Sequence, residues 1–95
     1  MADRPALHVV VYDIADNKRR RKVAAVLEER AARVQESVFE VRLTTRAARV
    51  LMTELTALAT PEDSVRIYAV PDAALTRCRT HGGPDIAGGG RYWLA

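Results

Sequence analysis

One acidic side chain and one basic run carry most of the chemistry in this sequence. Asp13 closes the stretch LHVVVYD at 7–13, and five consecutive cations follow at 18–22. An aspartate at such a corner has two readings. It caps the turn or pairs with an arginine, or it ligates Mg²⁺, which takes one or two carboxylates, several waters and phosphate oxygens. One carboxylate per chain is thin for a metal, but a two-fold axis near the strand ends would bring two copies of Asp13 together. Like charges at close range disfavour each other unless a cation lies between them, so the pair makes sense as a shared metal site. A metal there activates water and stabilises charge developing on a phosphate.

The basic run opposes its own electrostatics. A helix N-terminus carries partial positive charge and attracts acids, yet cations crowd it here. Arg19, Arg20 and Lys22 therefore read as holding a phosphate backbone, with the free N–H groups of the helix start assisting. The competing reading is a solvated helix face. Other candidates are weaker. His8 and His81 have no metal-ligand spacing between them and read as structural. Cys78 has no evident base, and no Ser-His-Asp pattern is present. Arg33 and Arg42 project from strands and read equally as surface charge. Phe39 is more often a core residue than a stacking platform. The run HGGPDIAGGG holds all five glycines and reads as a loop, since no P-loop lysine follows it.

The elements that must position these groups follow from periodicity and punctuation. Residues 7–13 form a first strand, and Asp16 caps a helix over about 17–31. Val23, Val26 and Leu27 make its buried stripe, which Arg19 and Arg20 flank, while Arg21 points away and Glu28 and Glu29 face outward. Residues 32–43 read as two short strands with a reversal near 35–37. Thr44 or Thr45 caps a second helix over about 45–59, with Ala47, Ala48, Leu51, Leu55 and Leu58 on its apolar face. TPED at 60–63 ends it, and SVRIYAV at 64–70 is the next strand, with Val65, Ile67 and Ala69 on one face. The order β-α-β-β-α-β is an α+β, ferredoxin-like arrangement: an antiparallel four-stranded sheet with two helices on one face. Residues 1–70 form this core, and 71–95 form a tail of the same domain. The tail carries an additional C-terminal strand at RYWL, 91–94, and a short strand is considered around 75–80.

The first strand fails to alternate between apolar and polar. Leu7, Val9 and Val11 share one face, Val10 and Tyr12 take the other, and Tyr68 and Val70 are assigned to that second face. Both faces thus require cover, which points to a two-fold homodimer. A 95-residue chain is one domain burying about 60–65% of its unfolded surface, so a monomer would be marginal. No segment approaches the roughly 20 apolar residues of a membrane span, and the opening residues lack the pattern of a signal peptide. A single cysteine and a net charge of +3 fit a cytoplasmic protein with an anionic partner, nucleic acid first.

These residues together carry a family resemblance. The strand ending Tyr12-Asp13-Ile14, the helix segment RRKVAAVL, the segment RVQESVFE and the closing VRIYAV resemble the small CRISPR-associated nuclease family Cas2 over about residues 8–70. The resemblance implies a ferredoxin-like homodimer whose C-terminal strand engages the partner. It implies endonuclease activity dependent on Mg²⁺ or Mn²⁺, on single-stranded RNA or double-stranded DNA. It also implies a scaffold that joins the CRISPR integrase during spacer acquisition. Catalytic and metal positions fall on Asp13 with Tyr12 before it. Nucleic-acid positions fall on Arg20, Lys22, Arg33, Ser37 and Phe39. Lys22 stands where an arginine is often found and lacks the planar fork. A purely non-catalytic scaffold, or a ribonuclease toxin on the same fold, is the alternative.

Overall fold

The parity of the first strand decides the layers. In the computed structural model, which describes residues 3–86, the chain runs β1 (Ala6–Asp13), α1 (Asn17–Glu28), β2 (Ala32–Gln35), β3 (Val38–Leu43), α2 (Thr45–Thr56) and β4 (Ser64–Val70). The strands lie in the order β2-β3-β1-β4, with every neighbouring pair antiparallel. This is the ferredoxin-like arrangement expected from the sequence. Val10 lies opposite Phe39 on one side and Ile67 on the other. These residues, with Tyr12 and Val41, meet Val23 and Leu27 of α1 and Leu51 and Leu55 of α2 in one buried cluster.

Both helices start where a side chain replaces a missing backbone acceptor. Asp16 accepts from the Arg19 N–H at 2.8 Å, and Thr44 accepts from the Ala47 N–H at 3.0 Å. Asp3 adds a second anion at the start of α2, accepting from the Thr45 and Arg46 N–H groups. The helices end earlier than their apolar spacing suggests, at Glu28 and Thr56. The N–H groups of Arg30 and Ala31 both turn back to the Leu27 carbonyl, closing α1 with a tight turn.

Two expectations about the sheet need correction. Tyr68 lies opposite Val9, and Val70 opposite Leu7. Directly opposed residues of an antiparallel pair project to the same side, so Tyr68 and Val70 join Leu7, Val9 and Val11, not Val10 and Tyr12. A slip of one residue in register flips a whole strand, and only the observed pairing fixes it. The second correction concerns 75–80. No strand forms there; Asp72–Arg77 is a 3₁₀ helix, started by the Ala74 N–H on the Pro71 carbonyl and closed by the Cys78 N–H on the Leu75 carbonyl. Asp72 reaches Arg42 at 3.6 Å, and Leu75 is buried. Arg42 is the partner of Leu7 across the ladder. The segment therefore folds back over one corner of the face opposite the helices. The expected strand at 91–94 lies outside the described residues.

Candidate functional site

Asp13 is the last residue of β1 and lies opposite Ser64, the first residue of β4. Its parity puts it on the face opposite the helices, beyond Val11. The carboxylate is exposed, and among the described residues no hydrogen bond or ion pair engages it. Asp16 does the capping, so the reading of Asp13 as a turn cap has no support in the geometry. Among the described residues no cluster of three or more histidine, cysteine, aspartate or glutamate side chains forms a ligand set. One chain therefore brings a single free carboxylate to this corner.

Beneath it sits a layer of aromatic and guanidinium groups. Tyr12 is buried and donates its hydroxyl to the Glu36 carbonyl at 3.0 Å, while its backbone N–H donates to the Ser37 carbonyl at 3.2 Å. Arg33 donates to the same Glu36 carbonyl from Nη2 at 2.9 Å and from Nε at 3.3 Å. Its guanidinium carbon lies 5.1 Å from the centre of the Phe39 ring, and Phe39 stacks on Tyr12 with centroids 6.2 Å apart. A cation-π contact made by a solvent-exposed cation such as Arg33 is worth about 0.5–1 kcal/mol. This layer fastens the β2–β3 turn to the end of β1. Phe39 is fully buried and presents no ring face for a base to stack on. Ser37 sits at the rim of the same turn.

The basic run divides three ways. Arg20 folds back over the β1–α1 loop. Its Nη1 donates to the carbonyls of Ile14 at 2.9 Å and Ala15 at 3.2 Å, and its Nη2 donates to the Asn17 side-chain oxygen. Arg19 turns the other way and grips Asp63 in a fork, Nε to Oδ2 at 2.9 Å and Nη2 to Oδ1 at 3.2 Å. Asp63 also accepts from the Thr60 N–H and immediately precedes Ser64. Lys22 is exposed on the outer side of α1, near Lys18. One cleft is lined by Tyr12, Asp13, Arg20, Arg21, Arg33 and Ser37. A second hollow holds Asp13, Asp16, Arg19, Glu62 and Asp63. The structure thus gathers Tyr12, Asp13, Arg20, Arg33 and Ser37 and separates Arg19 and Lys22 from that cleft. It adds Arg21, which the sequence reading sends away from the buried stripe. The available signal was Ala24, three residues on, a small residue that leaves room beside Arg21.

The Arg19–Asp63 fork has a measurable consequence. Hydrogen bonds from Arg19 and from the Thr60 N–H hold the Asp63 carboxyl below its ordinary value of 3.8, and the Arg19 N–H does the same for Asp16. A carboxyl lowered in the folded state stabilises it above the unfolded value, and that contribution fades as pH falls through the folded value. The urea midpoint is therefore expected to hold down to about pH 4 and fall below it. Arg19→Gln should lower the midpoint at neutral pH and make the acid-side fall shallower. Parallel acid profiles for the two proteins would show that the fork does not govern it.

A four-stranded antiparallel sheet with both helices on one face, and an unengaged carboxylate at the strand-to-helix corner, define a small ferredoxin-like α+β protein. Comparison with known proteins gives the family. The profile described as CRISPR associated protein Cas2 matches residues 6–78, from the start of β1 through the 3₁₀ helix. A Synechocystis protein named CRISPR-associated endoribonuclease Cas2 2 is 40% identical over 80 residues, covering 82% of this chain and 86% of the relative. The crystal structure of Streptococcus pyogenes Cas2 superposes with a TM-score of 0.68 at 30% identity, over 80% of this chain and 99% of that one. A chain of a partial Cas6-RT-Cas1–Cas2 complex superposes with a TM-score of 0.71 at 28% identity, over 86% and 97%. The chain belongs to the CRISPR-associated Cas2 family. No helix among the described residues is long and apolar enough to cross a membrane.

Proposed function

We propose that this chain is a CRISPR adaptation protein that works as a homodimer, cleaves phosphodiester bonds with Mg²⁺ or Mn²⁺, and grips nucleic acid beside the CRISPR integrase. The observation that carries the reading is the free Asp13 carboxylate, exposed at the end of β1 in a cleft it shares with three arginines. The endoribonuclease name of the Synechocystis relative supports the activity, and the Cas1–Cas2 complex supports the assembly.

One chain offers a metal a single unengaged carboxylate, and two chains meeting at this corner would offer a pair. Mg²⁺ accepts one or two carboxylates and completes its shell with water and phosphate oxygens, and each chain brings Asp13 alone. When bound, the ion supplies a nucleophilic water and neutralises charge on the phosphate. The chain's own residues do the rest. Arg20 fixes the loop that follows Asp13, and Tyr12 and Arg33 fix the turn across the cleft. A second copy also has a surface to meet. Val9, Val11 and Val38 are only half-buried on the face opposite the helices, and Tyr68 there is 50% exposed.

The test is cleavage of labelled single-stranded RNA and double-stranded DNA with Mg²⁺ and with chelator, alongside a light-scattering mass. Divalent-dependent cutting by a dimer supports the reading. A lone protomer would remove the paired carboxylates and the mechanism with them. A second reading, a scaffold that binds without cutting, rests on the arginine-lined cleft alone and asks no metal of Asp13. A dimer that binds duplex DNA and cuts neither substrate would establish that alternative.

A further inference from the structure

We propose that Arg21 is the residue that contacts the phosphodiester backbone in the Asp13 cleft, whereas Arg20 and Arg33 shape the cleft without contacting it; the assignment rests on the nucleic-acid function proposed above. Three guanidiniums line this cleft. Arg20 has both terminal nitrogens committed, Nη1 to two loop carbonyls and Nη2 to Asn17. Arg33 has Nε and Nη2 on the Glu36 carbonyl, Nη1 at 3.6 Å from the Glu28 carboxylate, and its guanidinium carbon over the Phe39 ring. For either to turn its whole fork to a phosphate, it would have to release acceptors that hold the loop or the turn.

Arg21 has no such engagement. It is exposed, and among the described residues it makes no hydrogen bond or ion pair. Every N–H of its fork is available, which suits two parallel bonds to the non-bridging oxygens of a phosphodiester. No acid occupies the first turn of α1 to offset the cations there. Because Asp13 lines the same cleft, a phosphate held by Arg21 lies on the carboxylate's side of the domain. Lys18 and Lys22 have free charge as well, but Arg21 is the free cation of the basic run that lines the cleft. A nucleic-acid backbone is favoured over a small anion because the cleft is open and offers one free fork rather than an enclosing set of donors.

The test measures binding of a mixed-sequence DNA duplex by fluorescence anisotropy while salt is raised from about 50 to 200 mM. Losing the cation that neutralises one phosphate reduces the slope of log affinity against log salt by about 0.9. Arg21→Ala should weaken binding several-fold at low salt and flatten the slope by about that amount per protomer. Arg21→Lys should keep the slope and still bind less tightly, because the charge remains and the fork does not. Arg49→Ala removes the same charge from the exposed side of α2 and should leave the slope unchanged. An Arg21→Ala slope equal to wild type, or an equal flattening in Arg49→Ala, overturns the assignment. A wild-type dimer with no salt-dependent binding would overturn the nucleic-acid function itself.

Discussion

Asp13→Asn is expected to lower divalent-dependent cleavage by roughly a thousandfold while leaving the fold intact. The magnitude follows from the metal's contribution to charge stabilisation, several kcal/mol at about 1.4 kcal/mol per tenfold in rate. Asparagine keeps the shape of the side chain but cannot supply the negative charge a hard cation requires. Because the carboxylate is exposed and unengaged among the described residues, the substitution breaks no internal bond there. Surface changes of that kind fall within about 0.5 kcal/mol, so the urea midpoint should match wild type. Single-turnover cleavage over a Mg²⁺ titration separates the outcomes. Loss of rate with duplex binding retained assigns cutting to Asp13 and gripping to other residues. An undiminished rate at saturating Mg²⁺ would mean that this carboxylate does not hold the metal. A second signature comes from charge alone. Two facing carboxylates repel when no cation lies between them, so in chelator the variant dimer should dissociate no more readily than wild type.

The parts of this structure that were legible in the sequence are those whose causes are local. Asp16 and Thr44 announce helix starts because a cap acts within three residues. The alternation of Phe39 and Val41 with Glu40 and Arg42 marks a half-buried strand, and Leu51 and Leu55 mark a helix face. What stays hidden depends on distant partners. Arg19 looks like a phosphate ligand until Asp63, forty-four positions along the chain, is seen to occupy its fork. Tyr68 and Val70 change faces because their side is set by register against β1 and not by their own strand. The 3₁₀ helix at Asp72–Arg77 buries Leu75 and reaches Arg42 across the sheet, an arrangement no local pattern carries. Arg21 escapes a sequence reading because a helical wheel shows which residues avoid the core. It does not show which outward direction the neighbouring turn converts into a cleft.

Phe39→Ala tests where the candidate site ends and the core begins. The family resemblance places Phe39 among nucleic-acid contacts, yet the ring is fully buried, opposite Val10, stacked on Tyr12 and covered by Arg33. Removing a buried phenyl group is expected to destabilise the domain by about 3–5 kcal/mol, since transfer and cavity terms add. A chain of this length has a total stability of roughly 5–14 kcal/mol, so the variant should unfold at a much lower urea concentration. Phe39→Leu refills most of the space and should recover much of that loss while still lacking the aromatic pair. Binding then distinguishes the two roles. If Phe39 is core, Phe39→Leu binds duplex DNA with nearly wild-type affinity under conditions where it is folded. If the ring stacks on a base, that variant should remain stable yet lose about 1–3 kcal/mol of binding to single strands, the worth of one stacked aromatic. The geometry favours the first result, because a base reaching this ring would have to displace Arg33 from Phe39 and from the Glu36 carbonyl together.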